Sequence, residues 1–305
     1  MLKETIAFAI ALLLSYCFSH FNLSRFFLDH PDGRKRHAHP IPHLGGVAIY
    51  LALLVAGGGI DYILVPSLFF ILGVVDDFLN MGYKWKLGFQ LIISILAILL
   101  YDWELTLFEH FLSPWLTYIL VIVWLITITN AFNFIDGLNG LAAGVFIVAV
   151  LIHSLMNRTL DLLPFVAATM GFLILNVRGS IFLGDGGSYF LGSMLAMMSL
   201  KSPFLNGEGF RMLIFMGYPA YEITYVVVKR LLKRKSPFHP DRLHTHYTLL
   251  DRGLPAREVV IILITFSAVC NLLSSLKLSI AMIAYGLAVL CILILVGRFE
   301  SRSKR

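Results

Sequence analysis

Charge is what this sequence has least of: Asp, Glu, Lys and Arg make up 14% of its 305 residues, against 58% hydrophobic residues. With a mean hydropathy of +0.83, that balance excludes an ordinary water-soluble globular domain and makes the bilayer the expected solvent. Cysteine is scarce as well. Cys17, Cys270 and Cys291 stand singly within apolar runs, without the paired spacing of a zinc or redox motif, and read as packing or membrane-facing residues. Internal repeats and low-complexity segments are absent. Crossing about 30 Å of hydrocarbon takes roughly 20 helical residues, so the chain has room for about ten or eleven spans and no large soluble domain.

Apolar stretches bounded by charge, Gly or Pro fall near residues 5–22, 44–60, 62–76, 87–101, 112–131, 138–155, 161–176, 187–200, 210–228, 257–275 and 278–297. The expected fold class is therefore all-α: a polytopic membrane protein of about eleven transmembrane helices, with residues 1–305 forming one integral membrane domain. Met1 to Phe21 lacks the basic start and the small-residue cleavage site of a signal peptide and reads as the first span. Lys and Arg choose the orientation. Segments 24–43, 77–86, 176–187, 229–257 and the tail after 297 carry nineteen of them, whereas the opposite side carries Lys3, Arg158, Lys201, Arg211 and Lys277. The positive-inside rule then places the N-terminus outside and the C-terminus in the cytoplasm. The four basic loops form one cytoplasmic face, where nucleotide-activated substrates are found. They suit anionic lipid head groups and anionic substrates, with no nucleic acid implied; an oligomer is allowed by the sequence without being required.

Five constellations fall on that face. Two adjacent carboxylates, Asp76 and Asp77, end an apolar helix, and Asn80 follows where continued helix would put it on their face. Neighbouring anions at a low-dielectric boundary call for a cation, a proton or basic partners, unless they are simply solvated helix-end acids. Asn130, Asn133, Asp136 and Gly140 recur at near-helical spacing around Gly137 and Asn139. Their oxygens are the kind magnesium prefers; the structural alternative is hydrogen bonding between helices. Phe182-Leu-Gly-Asp185-Gly-Gly-Ser188 sets one acid in a glycine-dense turn before an apolar helix, a place where backbone amides cradle phosphate or an Asp merely caps the helix.

The longest basic loop holds His239-Pro-Asp-Arg242-Leu-His244-Thr-His246. Three histidines there match no common zinc module, so anion recognition is the better reading, while Lys229 to Lys235 suit lipid head groups. The first loop runs Asp32-Gly-Arg34-Lys35-Arg36-His37 through Pro40-Ile-Pro42-His43 to Gly45-Gly46. Its prolines and paired glycines favour a fixed shape over a plain topogenic basic patch.

Taken in this order, the five motifs resemble the polyprenyl-phosphate N-acetylhexosamine-1-phosphate transferase superfamily over roughly residues 29–257. The first loop is most similar to the branch that uses UDP-GlcNAc to start O-antigen, enterobacterial common antigen or teichoic acid synthesis. The resemblance implies Asp185 and Asn133 as magnesium ligands, manganese being an alternative ion, and Asp76, Asp77 and Asp136 as catalytic carboxylates. It further implies Lys86 as a phosphate contact, Gly137, Asn139 and Phe182 as lining for uridine, and Arg242, His244 and His246 as sugar and pyrophosphate recognition, with Asn80 also in substrate binding. This chain reads His244-Thr245-His246-Tyr247-Thr248 where the branch often carries His-His-Arg or His-Ile-Arg, and His43 stands where arginine is common. The implied reaction transfers N-acetylglucosamine 1-phosphate from UDP-GlcNAc, or the corresponding group of another UDP-N-acetylhexosamine, to a membrane polyprenyl phosphate and releases UMP. UDP-MurNAc-pentapeptide is the donor of a related branch, and a cation-coupled transporter is the alternative of another class.

Overall fold

Several helices of this protein are more polar inside than outside, which is the arrangement a lipid solvent selects. The structure, a computed structural model, describes residues 1–20, 28–29, 39–57, 61–236 and 243–302. In α4 (Tyr83–Leu100) the buried residues are Gln90, Ser94 and Ala97, while Ile92, Ile95 and Leu99 point outward. In water this helix would be inverted; in lipid, apolar side chains face the acyl chains and polar ones find partners within the bundle. α1 (Leu2–His20) shows the same logic with small residues. It buries Ala7, Ala11 and Ser15, one per turn, so that its backbone can approach a neighbour closely.

The remaining elements, in chain order, begin with the paired strands β1 (Leu28–Asp29) and β2 (Ile41–Pro42), then α2 (Gly45–Ala56) and α3 (Leu64–Leu79). After α4 come β3 (Thr106–Leu107) and β4 (His110–Phe111), α5 (Pro114–Ile135), α6 (Leu141–Asn157), α7 (Leu163–Asn176) and α8 (Gly184–Leu200). The chain closes with α9 (Gly209–Phe215), α10 (Gly217–Leu232), α11 (Thr245–Leu250), α12 (Ala256–Leu273) and α13 (Leu278–Arg302). Both strand pairs are two-residue antiparallel hairpin ladders, so the all-α expectation holds for the body of the molecule. Five of the described helices are long and apolar enough to cross a membrane: Leu2–His20, Tyr83–Leu100, Pro114–Ile135, Ala256–Leu273 and the Leu278–Gly297 part of α13. The protein is a multi-pass membrane protein.

Ten of the eleven apolar stretches become single helices, and the exception has a local cause. The stretch near 210–228 divides at Met216 into α9 and α10, because Pro219 has no N–H to offer the Phe215 carbonyl four residues back, and its ring crowds it. That carbonyl is taken instead by the Asn271 side-chain amide of α12. Apolar length alone predicts one helix here, because it takes no account of this proline. Within the expected loop 229–257, Thr245–Leu250 forms a short helix with His244 at its N-cap position.

α8 lies at the centre. Every residue from Gly186 to Leu200 is buried, and it packs against α2, α3, α5 and α6. Glycines bring α2 and α3 onto its first turn. A Cβ on Gly73 would lie 2.4 Å from the Asp185 carbonyl oxygen, and one on Gly46 would lie 2.2 Å from the Gly187 nitrogen. Two backbone bonds complete the seam, from Gly45 N–H to Phe182 O and from Gly46 N–H to Leu183 O, at 2.9 and 2.8 Å.

Candidate active site at the first turn of the central helix

Four helix ends meet where α8 begins: the C-terminal ends of α3 and α5 and the N-terminal ends of α4 and α8. They bring Asp76, Asp77, Lys86, Asn133 and Asp185 into one cluster. Lys86 Nζ pairs with Asp76 Oδ2 and lies 3.7 Å from Asp185 Oδ2. The Asn133 amide donates to Asp185 Oδ1 at 2.7 Å and to Ser188 Oγ at 3.0 Å.

The two neighbouring aspartates have different surroundings. Asp77 accepts the backbone N–H groups of Asp185 and Gly186, at 2.9 and 3.0 Å, one on each carboxylate oxygen. First-turn amides of a helix have no intrahelical partner, so a carboxylate from α3 caps α8 from outside its own sequence. Asp76 is buried at 2% exposure; besides pairing with Lys86, it accepts the Met81 N–H at 2.9 Å. One acid therefore fixes the helix and the other meets the lysine.

Asp136 follows the last turn of α5. Burial, then the charges of Asp185 and Asp77, push its carboxyl well above the ordinary carboxylate range. Gly137 is pressed against His246, since a Cβ there would lie 2.2 Å from His246 Nε2. His246 is fully buried, with neither ring nitrogen hydrogen-bonded among the described residues, and burial lowers its pKa to about 3. Phe182 contributes its backbone to the α2–α8 seam, donating to Pro42 O at 2.7 Å. Asn139 is exposed at the α5–α6 corner, its amide close to Gly179.

Two expectations are corrected. Asn80 does not continue the α3 face: the helix stops at Leu79, and Asn80 adopts a left-handed conformation at φ 50° as its C-cap, exposed to solvent. Asn130 does not line the site with Asn133. It donates to Gln90 Oε1 of α4 at 2.7 Å and to Ile126 O at 2.7 Å, so for this residue the interhelical structural reading holds. Arg242 and the first-loop residues Arg34 to His37 lie outside the described residues.

Ser188 and Glu222 were missed. In the sequence Ser188 stands only as the last residue of the glycine-rich turn. Glu222 is fully buried in α10, and an acid inside an apolar helix is itself a signal that sequence reading can use. With His244 and His246 it gathers three donor atoms within 4.8 Å of one another. The two clusters differ in chemistry: the one at α8 sets carboxylates against a lysine and a carboxamide, whereas the second mixes imidazole and carboxylate.

Comparison with known proteins gives this cluster its context. The family described as "Glycosyl transferase family 4" matches residues 60–203, a segment that contains the α3, α4, α5 and α8 contributions. A Thermotoga maritima protein named undecaprenyl-phosphate alpha-N-acetylglucosaminyl 1-phosphate transferase is 32% identical over 265 residues, covering 87% of this chain and 86% of the relative. An Escherichia coli K12 protein of the same name is 26% identical over 280 residues, covering 79% of this chain and 73% of the relative. Neither is named a transporter. On this evidence the chain belongs to glycosyl transferase family 4.

Proposed function

We propose that this protein transfers N-acetylglucosamine 1-phosphate from UDP-GlcNAc to undecaprenyl phosphate, giving undecaprenyl-diphosphate-GlcNAc and UMP. The observation that carries the reading is the convergence of Asp76, Lys86, Asn133 and Asp185 in a chain 32% identical to a relative of that name. An oxygen of the lipid phosphate attacks the β-phosphorus of the donor. The bond from that phosphorus to the bridging oxygen breaks, and UMP leaves with the electron pair.

Both reactants are anions, so charge neutralisation and alignment dominate the barrier. Lys86 supplies positive charge between Asp76 and Asp185. The lipid phosphate is already largely ionised near neutral pH and needs no strong base. Asp76 is charge-paired with Lys86 and accepts a backbone N–H, both of which weaken it as a nucleophile; this favours direct displacement over a phospho-aspartate route. Asp185 and Asn133 would hold magnesium, with manganese as the alternative, through the Asp185 carboxylate and the Asn133 side-chain oxygen once its amide is turned over. When bound, such an ion supplies Lewis-acid polarisation of the diphosphate.

The same reading infers eleven crossings, counting α9 and α10 as one broken span, with the site on the cytoplasmic face that the Lys and Arg distribution selects. Purified protein in detergent with Mg²⁺ and undecaprenyl phosphate is given UDP-GlcNAc, UDP-GalNAc or UDP-MurNAc-pentapeptide, and UMP is measured. Release with UDP-GlcNAc is expected. Release only with another donor reassigns the sugar, and no release with any of them overturns the transferase reading.

A further inference from the structure

Glu222 has no part in the reaction just described, yet it is a fully buried acid in α10. Its Oε1 lies 3.2 Å from His244 Nδ1 and accepts the Thr245 backbone N–H at 3.0 Å. Thr245 opens α11, and His244, at the N-cap position, makes no side-chain cap of its own. First-turn amides of a helix need an outside acceptor. One oxygen of Glu222 thus anchors the start of α11 and orients an imidazole.

The backbone bond settles which atom of the acid faces the ring. An ionised carboxylate is acceptor-only, so with Oε1 also accepting the Thr245 N–H, Nδ1 of a neutral His244 ring carries the proton and Nε2 is left as its acceptor. His244 lies edge-on to Phe134 at 5.2 Å, in the last turn of α5 two residues before Asp136, and stacks on His246 at 5.4 Å. His246 in turn closes on Gly137. A continuous contact path therefore runs from Glu222 through two rings to the α5–α6 corner that adjoins the carboxylate cluster.

We propose that Glu222 is a positioning residue: through Oε1 it fixes His244 in the Nδ1–H tautomer and seats α11 against the α5–α6 corner, presenting Nε2 to a hydroxyl of the sugar-nucleotide donor. The claim about substrate rests on the transferase reading; the claim about the tautomer does not.

The test uses full-length protein labelled with ¹⁵N-histidine, with His244 assigned by the signal lost in His244→Gln. Ring nitrogen shifts distinguish protonated from bare nitrogens. The wild-type protein without substrate is expected to show His244 protonated at Nδ1. Glu222→Gln keeps an acceptor oxygen at the same place, so it retains that tautomer and a KM for UDP-GlcNAc within about fivefold of wild type. Glu222→Leu keeps volume but removes the acceptor, so the Nδ1–H signal is lost and KM rises by about 30-fold or more, with a smaller change in kcat. An Nε2–H signal in the wild type overturns the proposal without any turnover measurement, even if the leucine variant does not fold. So does a folded leucine variant with wild-type tautomer and KM. Stoichiometric zinc in the wild-type protein that Glu222→Gln abolishes would replace the hydrogen-bond role with a metal site.

Discussion

The two ends of α8 carry charge in opposite ways. Near its C-terminal end Lys201, Glu208 and Arg211 close on backbone or on an aromatic face. Lys201 donates to Asp102 O at 2.7 Å and sits 4.3 Å above the Trp103 ring. Glu208 accepts from the Phe108 and Arg211 backbone amides, and the Arg211 guanidinium donates to Ser274 O and Leu276 O. At the N-terminal end, carboxylates of two elements, Asp76 of α3 and Asp185 of α8, face one lysine and one carboxamide. The far end uses charge to tie loops to helices, an anchoring common where spans leave the membrane. The near end leaves negative charge in excess, which a folded protein does not maintain for stability and which an ion and an anionic reaction can use.

Substitutions at the two ends should separate these roles. The largest effect is expected from Asp185→Asn, which keeps an oxygen for the Asn133 amide and hence the fold, yet lowers kcat by about a thousandfold as the site loses its carboxylate. Next is Gly73→Ala. The new methyl meets the Asp185 backbone oxygen, and forcing α3 and α8 apart should cost about 3 kcal/mol, seen as a lower thermal midpoint and poor yield in detergent. Asp77→Ala removes the acceptor of two α8 amides and should cost about 2–3 kcal/mol. Asp76→Asn, by contrast, should lower kcat with less effect on the midpoint. That divergence between adjacent aspartates is the sharpest check on their separate roles.

Acid should act on the near end. The His246 pKa falls to about 3 because burial disfavours the charged ring, whereas an exposed histidine titrates at about 6.5. Between those values the unfolded chain binds the proton and the folded one does not. This contribution is therefore complete above pH 6.5 and is lost as pH falls toward 3, amounting to about 2 kcal/mol at pH 5. A His246→Gln variant should show a shallower decline of thermal midpoint over that range. The smallest change is expected at the far end, where Arg211→Ala should cost about 1 kcal/mol and leave kcat/KM at its wild-type value.

Helices and their order were legible in the sequence because apolar length and bounding charge are local properties. So was the list of acids, each sitting at the edge of an apolar stretch. Their division of labour was not. Asp77 caps a helix that begins 107 residues later, and no spacing rule connects the two. Asn130 and Asn133 lie on one helix three residues apart, but only Gln90 on α4 decides that Asn130 is structural. The break at Met216 was readable in principle from Pro219. Glu222 was readable as an acid inside an apolar run, though its link to His244 depends on α11 folding back against α10.

The most direct measurement is conversion of radiolabelled UDP-GlcNAc into undecaprenyl-linked product by purified wild-type, Asp185→Asn and Arg211→Ala proteins, with folding of each confirmed by its thermal midpoint. Product from wild type and Arg211→Ala, with about 0.1% of that rate from Asp185→Asn, is the predicted result. A folded Asp185→Asn protein that works at the wild-type rate would contradict the assignment of the chemistry to the first turn of α8.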